Sequence, residues 1–216
     1  TILTFSTANV LCGGNDYRFT NLVDYNDQLY AFKEDSMWLV SYRAAKINVG
    51  LEGLPSSNTG RAVAAQNLYL YFGWSHSMER LHGGTVDDIG TWRGAGLKDG
   101  HQGPLSAIVP NIAWTLGAVD AGSTGRSAAM AWNGRGWHEF FRSPTTGARL
   151  QSMHMQTNPN ARPRLWMSVG GELVCQRWPM DTLNPRNDGG IHYQHEGVME
   201  TATIDMNAVQ LPKLFS

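Results

Sequence analysis

An aromatic ring beside hydrogen-bonding side chains can hold a sugar. The ring covers the apolar face of the pyranose and the polar groups take its hydroxyls. Three tryptophans in this sequence, Trp74, Trp92 and Trp137, stand next to turn residues, and Arg93, Asn133 and Arg135 are polar neighbours. These six are the candidate ligand-binding residues. The competing reading puts these rings in the core, as expected for most of Tyr69, Tyr71, Phe72, Trp114, Trp132, Trp166 and Trp178. Either way the elements that carry the rings must be β-strands ending in tight turns.

Other residue types give less. His192-Tyr-Gln-His-Glu196 places two imidazoles and a carboxylate within five residues. On a strand the two histidines would face opposite sides, and a metal needs three or four converging ligands. No metal and no cofactor are expected. His82, His101, His138 and His154 show no spacing that makes a cluster, and His154, between Met153 and Met155, reads as one face of a strand. No Gly-x-Ser-x-Gly elbow is present, so no nucleophilic triad is indicated. Gly122-Ser-Thr-Gly-Arg126 lacks the ending and the following helix of a phosphate loop and reads as a turn. Glu34-Asp35 and Asp87-Asp88 are paired acids. Glycoside hydrolysis instead needs two carboxyls from different segments, about 5–10 Å apart. No catalytic residue is assigned, and the chain is expected not to be an enzyme. A glycan-processing, sialidase-like or other glycosidase, and a lectin without turnover, are the alternatives.

Composition narrows the class. The chain has 216 residues, enough for a full hydrophobic core. Only 16% of residues are charged and the net charge is −1, so neither nucleic acid nor an anionic membrane is an expected partner. No apolar run approaches the roughly 18 residues of a membrane span, so no membrane insertion is expected. The 24 glycines and 8 tryptophans suit tight turns and wide gaps between sheets. Cys12 and Cys175 are too far apart in sequence to suggest a disulfide framework and read as two buried thiols. The chain begins at Thr1 with no Met, as a processed product or a piece of a longer chain would.

A loose repeat runs along the chain. In each copy a short apolar stretch enters a turn, an aliphatic–aromatic strand follows, then a second turn and another strand. The copies begin at Asn21, Arg61, Leu105 and Ala148, and Tyr30, Tyr69, Trp114 and Trp166 mark their register. A spacing of roughly 40–50 residues is that of a propeller blade. Asn133-Gly134 and Gly170-Gly171 are two-residue hairpin signals, since both turn positions take positive φ cheaply. Met78-Glu-Arg-Leu reads as strand rather than helical turn. Thr1–Phe5 and Val198–Met206 are candidate strands of a fifth sheet that would close the ring. The expectation is one all-β domain over residues 1–216: a β-propeller of about five blades, or a fragment of a larger one. Its long connections, residues 73–103, 117–126 and 179–197, are expected to carry recognition.

Two resemblances bear on this. Thr85-Val-Asp-Asp-Ile-Gly-Thr-Trp92 resembles the Asp-box of sialidase-type propellers, one residue short between Gly90 and Trp92. That motif is a structural turn in which Asp caps backbone N–H groups. Arg162-Pro-Arg-Leu-Trp-Met-Ser-Val-Gly-Gly-Glu-Leu-Val-Cys-Gln-Arg-Trp-Pro, Thr182-Leu-Asn-Pro-Arg-Asn-Asp, Tyr193-Gln-His-Glu and Leu211-Pro-Lys-Leu-Phe resemble propeller-like regions of large virion or tail proteins of tailed bacteriophages and related metagenomic chains. The resemblance covers the last half of the chain well and the first half loosely. It implies a structural or attachment role in a virion, with other virion proteins or a host-surface glycan as partner, and no enzyme chemistry.

Overall fold

The computed structural model describes residues 12–40, 46–66, 68–91, 101–111, 114–158 and 161–178. Within them lie fifteen β-strands in four antiparallel sheets, and no α-helix. The first sheet holds β1 (Phe19–Tyr25), β2 (Gln28–Lys33), β3 (Ser36–Val40) and β4 (Lys46–Glu52). The second holds β5 (Val63–Gln66), β6 (Tyr69–Trp74), β7 (Ser77–His82) and β8 (Thr85–Asp88). The third holds β9 (Leu105–Pro110), β10 (Thr115–Val119), β11 (Ala128–Trp132) and β12 (Trp137–Arg142). The fourth holds β13 (Leu150–Asn158), β14 (Ala161–Val169) and β15 (Glu172–Arg177). In every sheet the strands pair in chain order.

The register marks of the sequence repeat fall at equivalent places. Tyr30, Tyr69 and Trp166 lie on the second strand of their sheets, and Trp114 directly precedes β10. Met78–Leu81 is strand, as the sequence reading holds. Turn chemistry follows the residues. Asn26 and Asp27 take φ of 53° and 57° between Tyr25 and its partner Gln28, the left-handed conformation these two residue types tolerate best after glycine. Gly170 and Gly171 do the same, at 60° and 92°, between Val169 and Glu172. Asn133-Gly134 departs from expectation. The last pair there is Trp132–Trp137, so the loop holds four residues rather than two.

Three apolar cores lie between consecutive sheets. Phe32, Met37, Leu70 and Phe72 join the first sheet to the second, and the Phe32 and Phe72 rings lie 5.1 Å apart. Met78, Tyr71, Leu105 and Met130 join the second to the third. Leu116, Ala131, Leu165 and Met167 join the third to the fourth. Each middle sheet is therefore buried on both faces, which explains runs such as Leu70-Tyr71-Phe72 that do not alternate apolar with polar.

Hydrogen bonds between first strands set their direction. Asn21 donates to the Arg61 carbonyl near the starts of β1 and β5, at 3.4 Å, and the Tyr25 hydroxyl donates to the Leu68 carbonyl at their far ends. Gln66 donates to the Asn111 carbonyl beyond the ends of β5 and β9, and Ser106 to the Leu150 carbonyl at the starts of β9 and β13. The first strands thus run in the same direction, side by side. All four meanders then share two rims. One rim carries the turns after β2, β6, β10 and β14 together with the connections between sheets. The other carries the turns after β1, β5, β7, β9, β11 and β13. Hydrogen exchange should follow this order. Amides of β5, β6, β9 and β10 should exchange slowest and those of β15, the edge of the fourth sheet among the described residues, fastest. Uniform protection across the third and fourth sheets would contradict the layering.

Several expectations meet a correction or pass out of view. Cys12 is buried but Cys175 is exposed on β15, so the pair is not two buried thiols, and the two are not bridged. Residues 73–103 are not one long connection, because they contain β7 and β8, and residues 117–119 belong to β10. Thr1–Phe5, Val198–Met206, residues 179–197 with His192 and His195, and Trp92 and Arg93 lie outside the described residues.

Candidate functional site

At the first rim a cavity of about 400 Å³ opens beside the first sheet. Three chain segments line it: Gly13, Gly14 and Tyr17 ahead of β1; Lys33, Asp35, Ser36 and Trp38 around the β2–β3 turn; and Glu52, Gly53 and Pro55 at and after the end of β4. Strand alternation places these groups. Lys33 and Trp38 stand on the face of the sheet opposite Phe32 and Met37, which enter the core.

The polar groups are held in place. The Lys33 ammonium, on a residue 2% exposed, donates to the Gly14 carbonyl at 2.7 Å. Trp38 Nε1 donates to Ser36 Oγ at 2.8 Å, and that hydroxyl donates to Asp35 Oδ1 at 2.8 Å. The indole plane is therefore tied to the turn. Backbone bonds lock the third wall to the second: Gly53 N–H to the Asp35 carbonyl at 3.0 Å, and Ser56 N–H to the Glu34 carbonyl at 2.8 Å. Two glycines permit the close approach. A Cβ at Gly13, where φ is +66°, would meet Trp38 Cζ2 at 3.0 Å, and one at Gly53 would meet Trp74 Nε1 at 3.1 Å.

Of the six residues the sequence points to, Trp74 adjoins this cavity, backing its Gly53 wall. Asn133 and Arg135 stand at the opposite rim, where β12 starts at Trp137, so the structure does not gather the four described residues into one site. The Trp137 indole reaches inward: it packs on the core between the second and third sheets, and its Nε1 donates to the Ile89 carbonyl at 2.6 Å. Asn133 serves its own turn. Its Oδ1 accepts from the N–H groups of Arg135 and Gly136, both at 2.9 Å. Asn133→Ala should cost about 1 kcal/mol of stability and leave binding at the first rim unchanged. Thermal melting together with a ligand titration checks both. The cavity itself was missed, because Tyr17, Lys33, Asp35, Trp38 and Glu52 come from separated segments. Of these, the sequence reading singles out only Asp35, as part of the paired acids Glu34-Asp35.

Two charged clusters lie elsewhere. On β7 and β8, Glu79 stands opposite Asp88 and Arg80 opposite Asp87, the latter pair bridged at 2.9 Å. Burial pushes the Glu79 carboxyl up to about 7, with the charges of Asp88 and then Asp87 adding to it. Asp88 Oδ1 accepts from the Ser77 hydroxyl at 2.5 Å and from the Gly90 N–H at 2.9 Å, the capping that the Asp-box-like text suggests. On β12, Glu139 is bound by His101 and by Arg142 Nε at 2.8 Å. The His101 hydrogen bond, and then Arg142, hold its carboxyl below the usual range against the opposing effect of burial. Among the described residues, no group of three or more His, Cys, Asp or Glu side chains is placed to hold a metal.

No family model matches the chain, and no curated protein matches it. Solved structures do. The extracellular domain of a protein described as a hybrid two-component system of B. thetaiotaomicron is similar at TM-score 0.57 and 15% identity, over 79% of this chain and 22% of that one. A structure of that extracellular domain described as a one-component system aligns at TM-score 0.56 and 14% identity, over 80% and 23%. BBS1N in complex with ARL6DN aligns at TM-score 0.51 and 11% identity, over 79% and 55%. The chain thus spans about a fifth of the first two and about half of the third. At such identities the likeness is one of fold.

Proposed function

We propose that the chain is a non-enzymatic attachment module whose four sheets are blades of a propeller of about five, with recognition carried at its rim. The observation that carries this is the cavity between the β2–β3 turn and the segment after β4, where an indole, a phenol, an ammonium and two carboxylates meet on a cross-braced sheet end. Sheets supply rigidity, and the loops they end in supply contacts. The parallel row β1, β5, β9 and β13, with a core between each pair of sheets, supports the blade reading. A fifth blade would come from segments outside the described residues.

Binding rather than turnover is favoured by where the carboxyl that is raised toward neutrality lies. Glu79, pushed up to about 7, stands beside Asp88 on the second sheet and not in the lining of the cavity. A general acid poised near neutrality belongs where the substrate sits. The likeness of the C-terminal half to phage virion and tail regions supports a place in a phage-like particle, with a host-surface glycan or another virion protein as partner. The test is a binding screen of the purified chain against a glycan array and virion proteins, run beside fluorogenic glycosides and sialosides. Saturable binding without product is the expected result. Turnover abolished by a single carboxylate substitution would overturn it.

A further inference from the structure

The rim cavity also constrains the chemistry of its ligand. We infer that it takes one neutral pyranose residue of a glycan, stacked against Trp38 and Tyr17. This rests on the attachment reading and names the ligand class of that site.

Size comes first. A cavity of about 400 Å³ is near the lower end of ligand pockets, roughly 300–1,000 Å³, and suits one small ring rather than an extended chain. Charge comes second. The lining holds two carboxylates, Asp35 and Glu52, beside one ammonium, and the Lys33 ammonium already donates to Gly14. A sialic or uronic acid would bring its carboxylate against two others, with no arginine in the lining to receive it. A quaternary ammonium would be drawn by the rings and by the two carboxylates, but its charged end carries no N–H or O–H donor for the Asp35 carboxylate, so choline is the competitor the test includes. Polarity comes third. Asp35 Oδ1 is occupied by Ser36, which leaves Oδ2 to accept a sugar hydroxyl, and a carboxylate accepting from a hydroxyl is among the stronger neutral-ligand contacts. Pre-organisation comes last. Trp38 Nε1 is held by Ser36 and its edge is backed by Gly13, so the indole does not have to be ordered when a ring stacks on it.

The test uses the full chain and methyl glycosides of glucose, galactose, mannose and N-acetylglucosamine. Methyl sialoside, methyl glucuronide and choline are compared by saturation-transfer NMR and calorimetry. At least one neutral glycoside should bind and the three charged compounds should bind at least about tenfold more weakly, a difference of about 1.4 kcal/mol. Asp35→Asn and Tyr17→Ala should each weaken binding about tenfold at an unchanged melting temperature, and Trp38→Ala should abolish it. Asp35 and Tyr17 lie outside the apolar cores, so they keep the test decisive if Trp38→Ala unfolds the chain. Preference for a charged compound, or neutral binding indifferent to Asp35 and Tyr17, would overturn the inference while leaving the attachment reading standing. Failure of every glycan and every virion protein to bind would remove both.

Discussion

Gly60→Ala is expected to cost about 3 kcal/mol or more, enough to leave much of the chain unfolded at 37 °C. Two effects add. Gly60 has φ +67°, where an L side chain is strained, and a Cβ there would lie 2.3 Å from Phe32 Cβ and 2.5 Å from Cγ. Phe32 is fully buried and packed against Phe72, so it has no room to retreat. The Gly60 N–H also donates to the Gly73 carbonyl at 2.7 Å, which fastens the connection between the first two sheets to β6. Moving the backbone to relieve the clash would break that bond. Gly83→Ala is the control: its φ is +55°, but nothing lies within 4 Å of the added Cβ, so only the conformational strain, about 1 kcal/mol, should appear. Denaturant midpoints of the two variants measure the difference. Equal losses would mean that the packing of Gly60 on Phe32 is wrong.

Glu79→Gln should stabilise the chain by about 1–3 kcal/mol at pH 8 and by close to nothing at pH 4. The sign follows from the direction of the shift. Burial pushes the Glu79 carboxyl from the ordinary 4.5 up to about 7 in the fold, so between those values the folded state holds the extra proton. Stability from this group is complete below about 4.5 and is lost as pH rises through 7, because the fold must then bury a carboxylate beside Asp88 and Asp87. Glutamine keeps the shape and removes the charge. Melting temperatures of wild type and variant across pH 4–9 should diverge upward through neutrality. A variant less stable than wild type at pH 8 would mean that the carboxylate has a cationic partner.

The repeat was legible because each copy places an aromatic residue on its second strand or, with Trp114, directly before it, and punctuates with residues that accept positive φ. Asn26-Asp27 and Gly170-Gly171 show the rule. Asn133-Gly134 shows its limit: Asn133 uses its side chain to cap Arg135 and Gly136 instead of taking positive φ itself. Site residues were harder for a geometric reason. A tryptophan next to a turn faces either side of its sheet according to strand parity, which the turn does not reveal. Trp137 pairs with Trp132 and both share the face of Met130, so its indole enters the core. Trp38 stands beside no turn signal of the sequence, yet its parity opposes Met37 and carries it into the cavity. Nothing in the sequence spacing joins Tyr17, Asp35 and Glu52. The bond from the Glu34 N–H to the Arg18 carbonyl, at 3.0 Å, and the pairing of Ser36 with Glu52 across β3 and β4 do that.

Recognition at one rim and not the other is most directly tested by titrating a bound glycan against one substitution from each. Asp35→Asn at the cavity should weaken binding about tenfold while Arg135→Ala at the opposite rim leaves the dissociation constant unchanged. Loss of binding in Arg135→Ala with full retention in Asp35→Asn would contradict the account.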